Sequence, residues 1–248
     1  DDRNYDGGMS KRRFALGTRK SKLALHQTQL VVELLVASRP DLDFEVVTYE
    51  SSGDRMLDVP APQLAADAFT DSIERALVQG EIDAAVHSYK DLPLDATAGL
   101  VVAAVPLRAD PREALVCAKQ LTLAELPAAS LIGTSSERRA AAVLALRPDV
   151  VVRPIRGTVD ARVAMVLAGK YDAALLALAG LDRLDLLGHV TEIFDLAVMP
   201  PAAGQGALAV QCRADDPFSL GVLSDIDDVV LHNAVDAELS SSLRTSLL

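Results

Sequence analysis

Short apolar runs alternate with helix-period segments along most of this chain, and that alternation restricts the fold to stacked α/β layers. Phe14–Leu16, Phe44–Thr48, Ile82–Val86 and Leu100–Val105 read as strands. Ala114–Cys117, Leu131–Ile132, Val150–Val152, Ala173–Leu178 and Ala207–Gln211 continue the series. Between them Leu23, Leu30, Leu34 and Ala37 share one helical face that closes near Pro40, and Phe69–Gln79 is a helix stopped by Gly80. Leu121–Leu126 reads as a short helix, one helix runs to Leu146, another opens at Val159, and Val229–Leu248 starts as a helix. Ser51–Ala66 holds Gly53, Pro60 and Pro62 with no clear period, which predicts a long loop of the kind that forms lids. Two breaks, Arg108–Arg112 and Pro200–Gly206, divide the alternating pattern into two lobes with a cleft between them.

Composition narrows the class. Half of the residues are hydrophobic but only 4% are aromatic, with no Trp, so Ala, Val and Leu must fill the core, as in α/β layers rather than a β-sandwich. A formal charge of −11 excludes a broad nucleic-acid surface, which needs clustered Lys and Arg. No apolar run reaches the length of a membrane-spanning helix, and no signal-peptide core is present. Cys117 and Cys212 lie far apart in apolar strands and read as buried thiols in a reducing cytoplasm. Neither they nor His26, His87, His189 and His232 show metal-ligand spacing. Residues 1–8 read as a leader before Met9.

The polar residues concentrate where strands end. Ile82–Val86 runs into His87-Ser88-Tyr89-Lys90-Asp91 before Leu92-Pro93 turns the chain away. In open α/β sheets ligands sit beyond the carboxyl ends of strands, so this segment is the first candidate reaction centre. Three more strand ends carry Arg19, the pair Arg138/Arg139, and Arg156 with Arg162. Arginine forks and helix N-termini suit carboxylate or phosphate, which makes a small polyanion the expected ligand. Asp91 would stay ionised in that basic cleft, where it could stabilise a developing cation or relay a proton.

From Phe14 to about Glu238 the chain resembles the hydroxymethylbilane synthase, or porphobilinogen deaminase, family. The resemblance rests on Gly17-Thr18-Arg19-Lys20-Ser21, Ala85-Val86-His87-Ser88-Tyr89-Lys90-Asp91-Leu92-Pro93, Ala109-Asp110-Pro111-Arg112 and Gly133-Thr134-Ser135-Ser136-x-Arg138-Arg139. Arg156-Gly157-x-Val159-Asp160-x-Arg162, Leu178-Ala179-Gly180-Leu181 and Gly204-Gln205-Gly206-Ala207 extend it. It implies two lobes of the type II periplasmic-binding-protein kind, with residues 9–105 and 207–227 as lobe 1 and 106–206 as lobe 2. It also implies deamination of porphobilinogen and head-to-tail condensation to a linear tetrapyrrole. Asp91 would be the catalytic carboxylate that handles the pyrrole nitrogen and the azafulvene cation. Arg19, Ser21 and Lys90, with Thr134, Ser136, Arg138, Arg139, Arg156 and Arg162, would hold the acetate and propionate groups. Phe69 would lie near the growing chain, and His87, Ser88 and Gln205 are further candidates.

Two departures from the family pattern shape the expectations. The family carries a dipyrromethane primer on a cysteine of a small third domain. The matching segment here, Ala237-Glu238-Leu239-Ser240-Ser241-Ser242-Leu243-Arg244, has no cysteine. The third domain is therefore expected to be absent or reduced to the helix at 228–248, and no cofactor is expected on the chain. The lid segment Gln63–Phe69 lacks the family's lysines and glycines, and Asp67 would bring negative charge towards a polycarboxylate site. The expected protein is a monomeric, cytoplasmic transferase that binds a small polycarboxylate and neither nucleic acid nor membrane. A diverged, primer-free enzyme acting on another small anion and a non-catalytic anion-binding protein are the alternatives.

Overall fold

The computed structural model describes residues 11–56, 65, 67–93 and 96–246. The expected leader, and most of the expected loop after Met56, lie outside the described residues. The first part of the chain gives β1 (Arg12–Arg19), α1 (Lys22–Ser38), β2 (Leu42–Tyr49), the single turn α2 (Ser52–Arg55), α3 (Asp71–Val78), β3 (Ala84–Ser88) and β4 (Leu100–Ala104). A 3-10 turn, Tyr89–Asp91, follows β3 directly. The middle gives β5 (Glu113–Cys117), β6 (Leu131–Gly133), α4 (Glu137–Leu146), β7 (Val151–Arg153), α5 (Val159–Leu167), β8 (Ala173–Ala177), α6 (Leu178–Asp182) and β9 (Val190–Ile193). The last part gives β10 (Leu208–Arg213), α7 (Pro217–Ser224) and α8 (Val229–Ser246).

These strands form two five-stranded sheets, ordered β2-β1-β3-β10-β4 and β7-β6-β8-β5-β9. The two have one design: three parallel strands, then an antiparallel strand, β10 or β5, beside the third. Helices cover both faces of the first sheet. α1 packs Val31 and Leu35 with Phe14, Leu16 and Val86, while α3 packs Ile73 and Leu77 with Ala15, Ile82 and Ala85 on the other. The second sheet repeats this with Val143, Ile132 and Leu175 on one face and Val163, Val116 and Leu176 on the other. Its inner strands β5 and β8 are largely Ala, Val and Leu, as expected for strands buried on both faces.

The chain crosses between sheets twice, after β4 and before β10, and the crossovers pair where Arg108 bridges Ala207. Ala109 N donates to Gly206 O at 3.1 Å. Gly206 has φ +87°, and a Cβ there would sit 2.3 Å from Ala109 O, so only glycine permits this approach. α8 then packs Leu231, Val235 and Leu239 around Tyr89, Ala207 and Ala209 on the first sheet.

The structure departs from the sequence expectations at three places. Leu121–Leu126 is a turn rather than a helix: Glu125 Oε2 accepts from Thr122 N (2.9 Å) and Thr122 Oγ1 (2.8 Å) as at a helix start, but Pro127 follows two residues later and stops it. Gly17-Thr18-Arg19 belongs to β1, which pairs with β2 through Arg19↔Tyr49, so the turn begins only at Lys20. α7 is a helix that the sequence pattern does not reveal. Asp216 caps it by accepting from Phe218 N and Ser219 N, both at 3.1 Å, with Pro217 at its first position.

Leu175 lies at the middle of β8 and is fully buried. Its replacement by Ala is expected to cost about 2–5 kcal/mol, read from the chemical-denaturation midpoint; a loss below about 1 kcal/mol would show that the site collapses around the missing atoms.

Candidate active site

β3 ends at Ser88, and the 3-10 turn lifts Lys90 and Asp91 out of the sheet into the space between lobes. β1 ends on the same edge, and Arg19 Nη1 lies 3.9 Å from Asp91 Oδ2. From lobe 2, Arg162 is close enough to Asp91, Arg139, Arg156 and Arg19 for all four charges to act on it. Burial, more than those neighbours, pulls the Arg162 guanidinium down to about 10, and Asp91 opposes the shift. The fold thus places one carboxylate inside a ring of cations drawn from both lobes.

Lys90 Nζ donates to Gln205 Oε1 at 2.9 Å. Gln205 is fully buried, and its Nε2 donates to Pro111 O at 2.6 Å, which fixes the orientation of the amide. Burial, with Arg139 adding repulsion, lowers the Lys90 ammonium to about 8, while Asp91 and Glu113 partly oppose the shift. Lys90 therefore gains its charge as pH falls below about 8 and loses it as pH rises above that value.

Arg138 and Arg139 open α4 and converge on Glu113 at the start of β5. Glu113 is completely buried; Arg138 pairs with Oε1 and Arg139 Nη2 with Oε2 at 2.8 Å. Arg138 also donates to Pro200 O, and Arg139 to Leu175 O at 3.2 Å, with Gln205 Oε1 at 3.5 Å. Arg139 is almost wholly buried, whereas Arg138 is partly exposed while its two terminal nitrogens hold Pro200 O and Glu113. The paired arginines hold the Glu113 carboxyl below the usual range even though burial pushes the other way. Glu113 is not among the residues that the sequence motifs point to. Its one signal is a carboxylate opening a strand of otherwise buried apolar residues, which must find cationic partners.

The hydroxyl candidates are engaged in building the turns. Ser21 Oγ caps α1 by accepting from Ala24 N at 3.2 Å, and Ser136 Oγ caps α4 from Arg139 N at 3.4 Å. Thr134 Oγ1 accepts from Ser136 N at 3.2 Å. Ser88 Oγ exchanges hydrogen bonds with Gln27, a buried residue of α1 whose ordinary helix-face position gives no hint of this role in the sequence. His87 is buried and lowered to about 4, mainly by burial and further by Arg19, against the Gln211 hydrogen bond; it is neutral at physiological pH. Phe69 lies beneath two guanidinium groups, with Arg19 4.8 Å and Arg156 5.9 Å from its ring centre. Arg156 Nη2 reaches Gly53 O and Met56 O at 3.5 Å, and Lys22 pairs with Asp160 at 3.7 Å, so the lobes also meet across the cleft mouth. Of the lid segment, residues 63, 64 and 66 lie outside the described residues; Asp67 is exposed and its carbonyl accepts from Thr70 N at 2.8 Å. Among the described residues no cluster of His, Cys, Asp and Glu could hold a metal ion, and no helix is long and apolar enough to cross a membrane.

Comparison with known proteins bears on this arrangement. The family model described as "Porphobilinogen deaminase, dipyromethane cofactor binding domain" matches residues 14–220. Porphobilinogen deaminase of Brevibacillus brevis is 43% identical over 229 residues, 92% of this chain and 74% of that protein. The chain belongs to the porphobilinogen deaminase family. Porphobilinogen deaminases of Acidothermus cellulolyticus and Mycobacterium tuberculosis are each 46% identical, over 90% of this chain and 68% and 71% of theirs. Among solved structures, a Burkholderia cenocepacia nutrient-binding protein bound to methionine overlays with TM-score 0.53 at 15% identity, over 86% of this chain and 91% of that one. The Bordetella pertussis BvgS VFT2 domain overlays with TM-score 0.52 at 14% identity, over 93% and 92%. These likenesses are of fold: two lobes of the periplasmic-binding-protein kind around a cleft.

The family's dipyrromethane, as the sequence resemblance describes it, needs an accessible thiolate as anchor. Cys117 and Cys212 are both buried inside strands, and burial pushes the Cys212 thiol up to about 11. A thiol buried inside a strand is inert, so these residues do not fit that group. The sequence as it stands is expected to be expressed with the mass of the bare polypeptide; a covalent pyrrole adduct in the intact-mass spectrum would contradict this. The second expectation concerns charge. Affinity for a dicarboxylate such as succinate should weaken as pH rises through about 8, where Lys90 loses its proton, and the step should vanish in Lys90→Met; calorimetric titration from about pH 6.5 to 9.5 reads both.

Proposed function

We propose that this cleft deaminates porphobilinogen, or a closely related carboxylated pyrrole, and joins the freed methylene carbon to a second pyrrole. The observation that carries the proposal is Asp91 standing within reach of Arg19 and Arg162 at the end of β3. Relatives at 43–46% identity named porphobilinogen deaminase support the same reaction.

Each part of the site has work in that chemistry. The acetate and propionate groups of the substrate meet the cations of the cleft, with the exposed part of Arg138 and the forks of Arg156 and Arg162 matching carboxylate geometry. Lys90 adds a point charge below about pH 8. The protonated aminomethyl group leaves as ammonia, taking the electron pair of the breaking C–N bond. Positive charge then spreads over the methylene carbon and the ring nitrogen. Asp91, the carboxylate that faces the cleft from within this ring of cations, sets its negative charge against that developing charge through the ring N–H. The α-carbon of a second pyrrole supplies the electron pair of the new C–C bond, and the proton on that carbon is lost as the ring regains aromaticity. His87, neutral and buried, takes no proton at physiological pH. In this reading neither Cys117 nor Cys212 carries a pyrrole, the substrate is a small anion, and the protein works as a cytoplasmic monomer.

The test is ammonia release from porphobilinogen by the parent chain and by Asp91→Asn. The parent should release ammonia as pyrrole is consumed. Asp91→Asn should slow release by about 10²–10³-fold, because charge stabilisation acts mainly in the transition state. Substrate affinity should stay within about threefold or tighten, since the change removes a negative charge from an anion site. Equal rates in the two proteins would remove Asp91 from the mechanism, and no ammonia from the parent would remove the reaction.

A further inference from the structure

The turn that carries Lys90 and Asp91 is tethered from behind, by a residue the chemistry above does not use. Tyr89, between Ser88 and Lys90, points away from the cleft and is nearly buried. Its ring packs with Val105, Ala207, Ala209 and Val235 and lies against Gly204, whose φ of +68° lets the second crossover pass close to the ring. Its hydroxyl donates to Asp236 Oδ1 on α8 at 2.8 Å. Burial and the Asp236 carboxylate raise the phenol well above its ordinary value, so it remains a donor.

Packing alone does not fix this turn. Behind it lies a cavity of about 120 Å³ whose wall includes Tyr89, Leu92, Pro93, Gln211 and Leu239. Side chains are held by contact with dense neighbours, and a void on one side removes those contacts. Backbone bonds from Tyr89 N to Ala207 O (3.0 Å) and from Leu92 N to Tyr89 O (3.1 Å) shape the turn, and the Asp236 bond adds a directional hold on the ring where it borders the cavity. α8 is itself held in place: Glu238 accepts two bonds from Arg108, at 2.6 and 3.0 Å, and one from Gly204 N at 3.1 Å.

We propose that Tyr89 and Asp236 are positioning residues, and that their hydrogen bond lets α8 set the aim of Lys90 and Asp91 in the cleft. The proposal rests on the reading of Asp91 as the reacting carboxylate. Tyr89→Phe removes the donor and keeps the ring; Asp236→Ala removes the acceptor; Asp236→Asn keeps one. With porphobilinogen as substrate, Tyr89→Phe and Asp236→Ala should each lower kcat about tenfold with KM within about twofold, the signature of lost orientation rather than lost binding. Asp236→Asn should recover most of the rate, and the double variant Tyr89→Phe/Asp236→Ala should be no slower than either single change. A merely structural role would lower stability without splitting kcat from KM.

Amide hydrogen exchange supplies a measurement that does not depend on turnover. Tyr89 and Leu92 amides should exchange faster in Tyr89→Phe and in Asp236→Ala, while the β5 amides stay unchanged. A parent that releases no ammonia would sink the proposed reaction, and exchange would then decide the tether on its own. Unchanged exchange at Tyr89 and Leu92 would overturn the proposal, as would additive losses in the double variant or an effect confined to KM.

Discussion

The side chain of Gln205 is the interaction on which the site depends. A buried amide must satisfy its donors and its acceptor, and each partner it finds is fixed in return. Gln205 takes Lys90 from lobe 1 on its oxygen, with Arg139 of lobe 2 approaching the same atom, and gives its N–H to Pro111 on the first crossover. Its own backbone carbonyl accepts from Arg108 at 3.0 Å. The catalytic turn, the lobe 2 arginines and both crossovers therefore refer to one residue. Any change in the angle between lobes has to be accommodated around it.

Around that point the protein concentrates positive charge against its own average. The chain carries −11 overall, yet Arg19, Lys90, Arg138, Arg139, Arg156 and Arg162 gather with Asp91 and Glu113 between them. The two carboxylates do different jobs. Glu113 is sealed in the sheet and spends its charge on aligning two guanidinium groups. Asp91 is half-buried at the cleft, 3.9 Å from Arg19, where a substrate cation can still approach it. Burial and mutual repulsion lower the Lys90 and Arg162 values, which makes an anionic ligand the natural relief for the cluster. A −11 surface with a cationic cleft also favours a small ligand that can enter it over a large polyanion that would meet the outside first.

Much of this is legible in the sequence because strand ends carry their chemistry in short contiguous words. His87–Asp91, the Arg138/Arg139 pair and Arg156–Arg162 announce themselves by polarity following an apolar run, and the structure gathers Lys90, Asp91, Arg139 and Arg162 in one place. Other features depend on partners far along the chain. Glu113 shows its purpose only once β5 lies beside α4, and Asp236 only once α8 reaches Tyr89, 147 residues away. Ser21 and Ser136 read as ligand hydroxyls because capping and anion binding use the same residue types at the same helix ends. The short helix expected at Leu121–Leu126 does not extend past its first turn, because Pro127 follows the Thr122–Glu125 cap by two residues. α7 escapes notice because it carries no clear amphipathic period and is marked mainly by its Asp216-Pro217 start.

One geometric relation matters above the rest: a carboxylated pyrrole lying across the cleft with its ring nitrogen at Asp91. A crystal structure of Asp91→Asn with porphobilinogen bound tests it most directly. The predicted result has the ligand's carboxylates within hydrogen-bond distance of Arg19, Arg162 or the exposed face of Arg138, and the pyrrole N–H turned to the substituted position 91. Porphobilinogen bound outside the cleft, or in it with the ring nitrogen turned away from position 91, would contradict it.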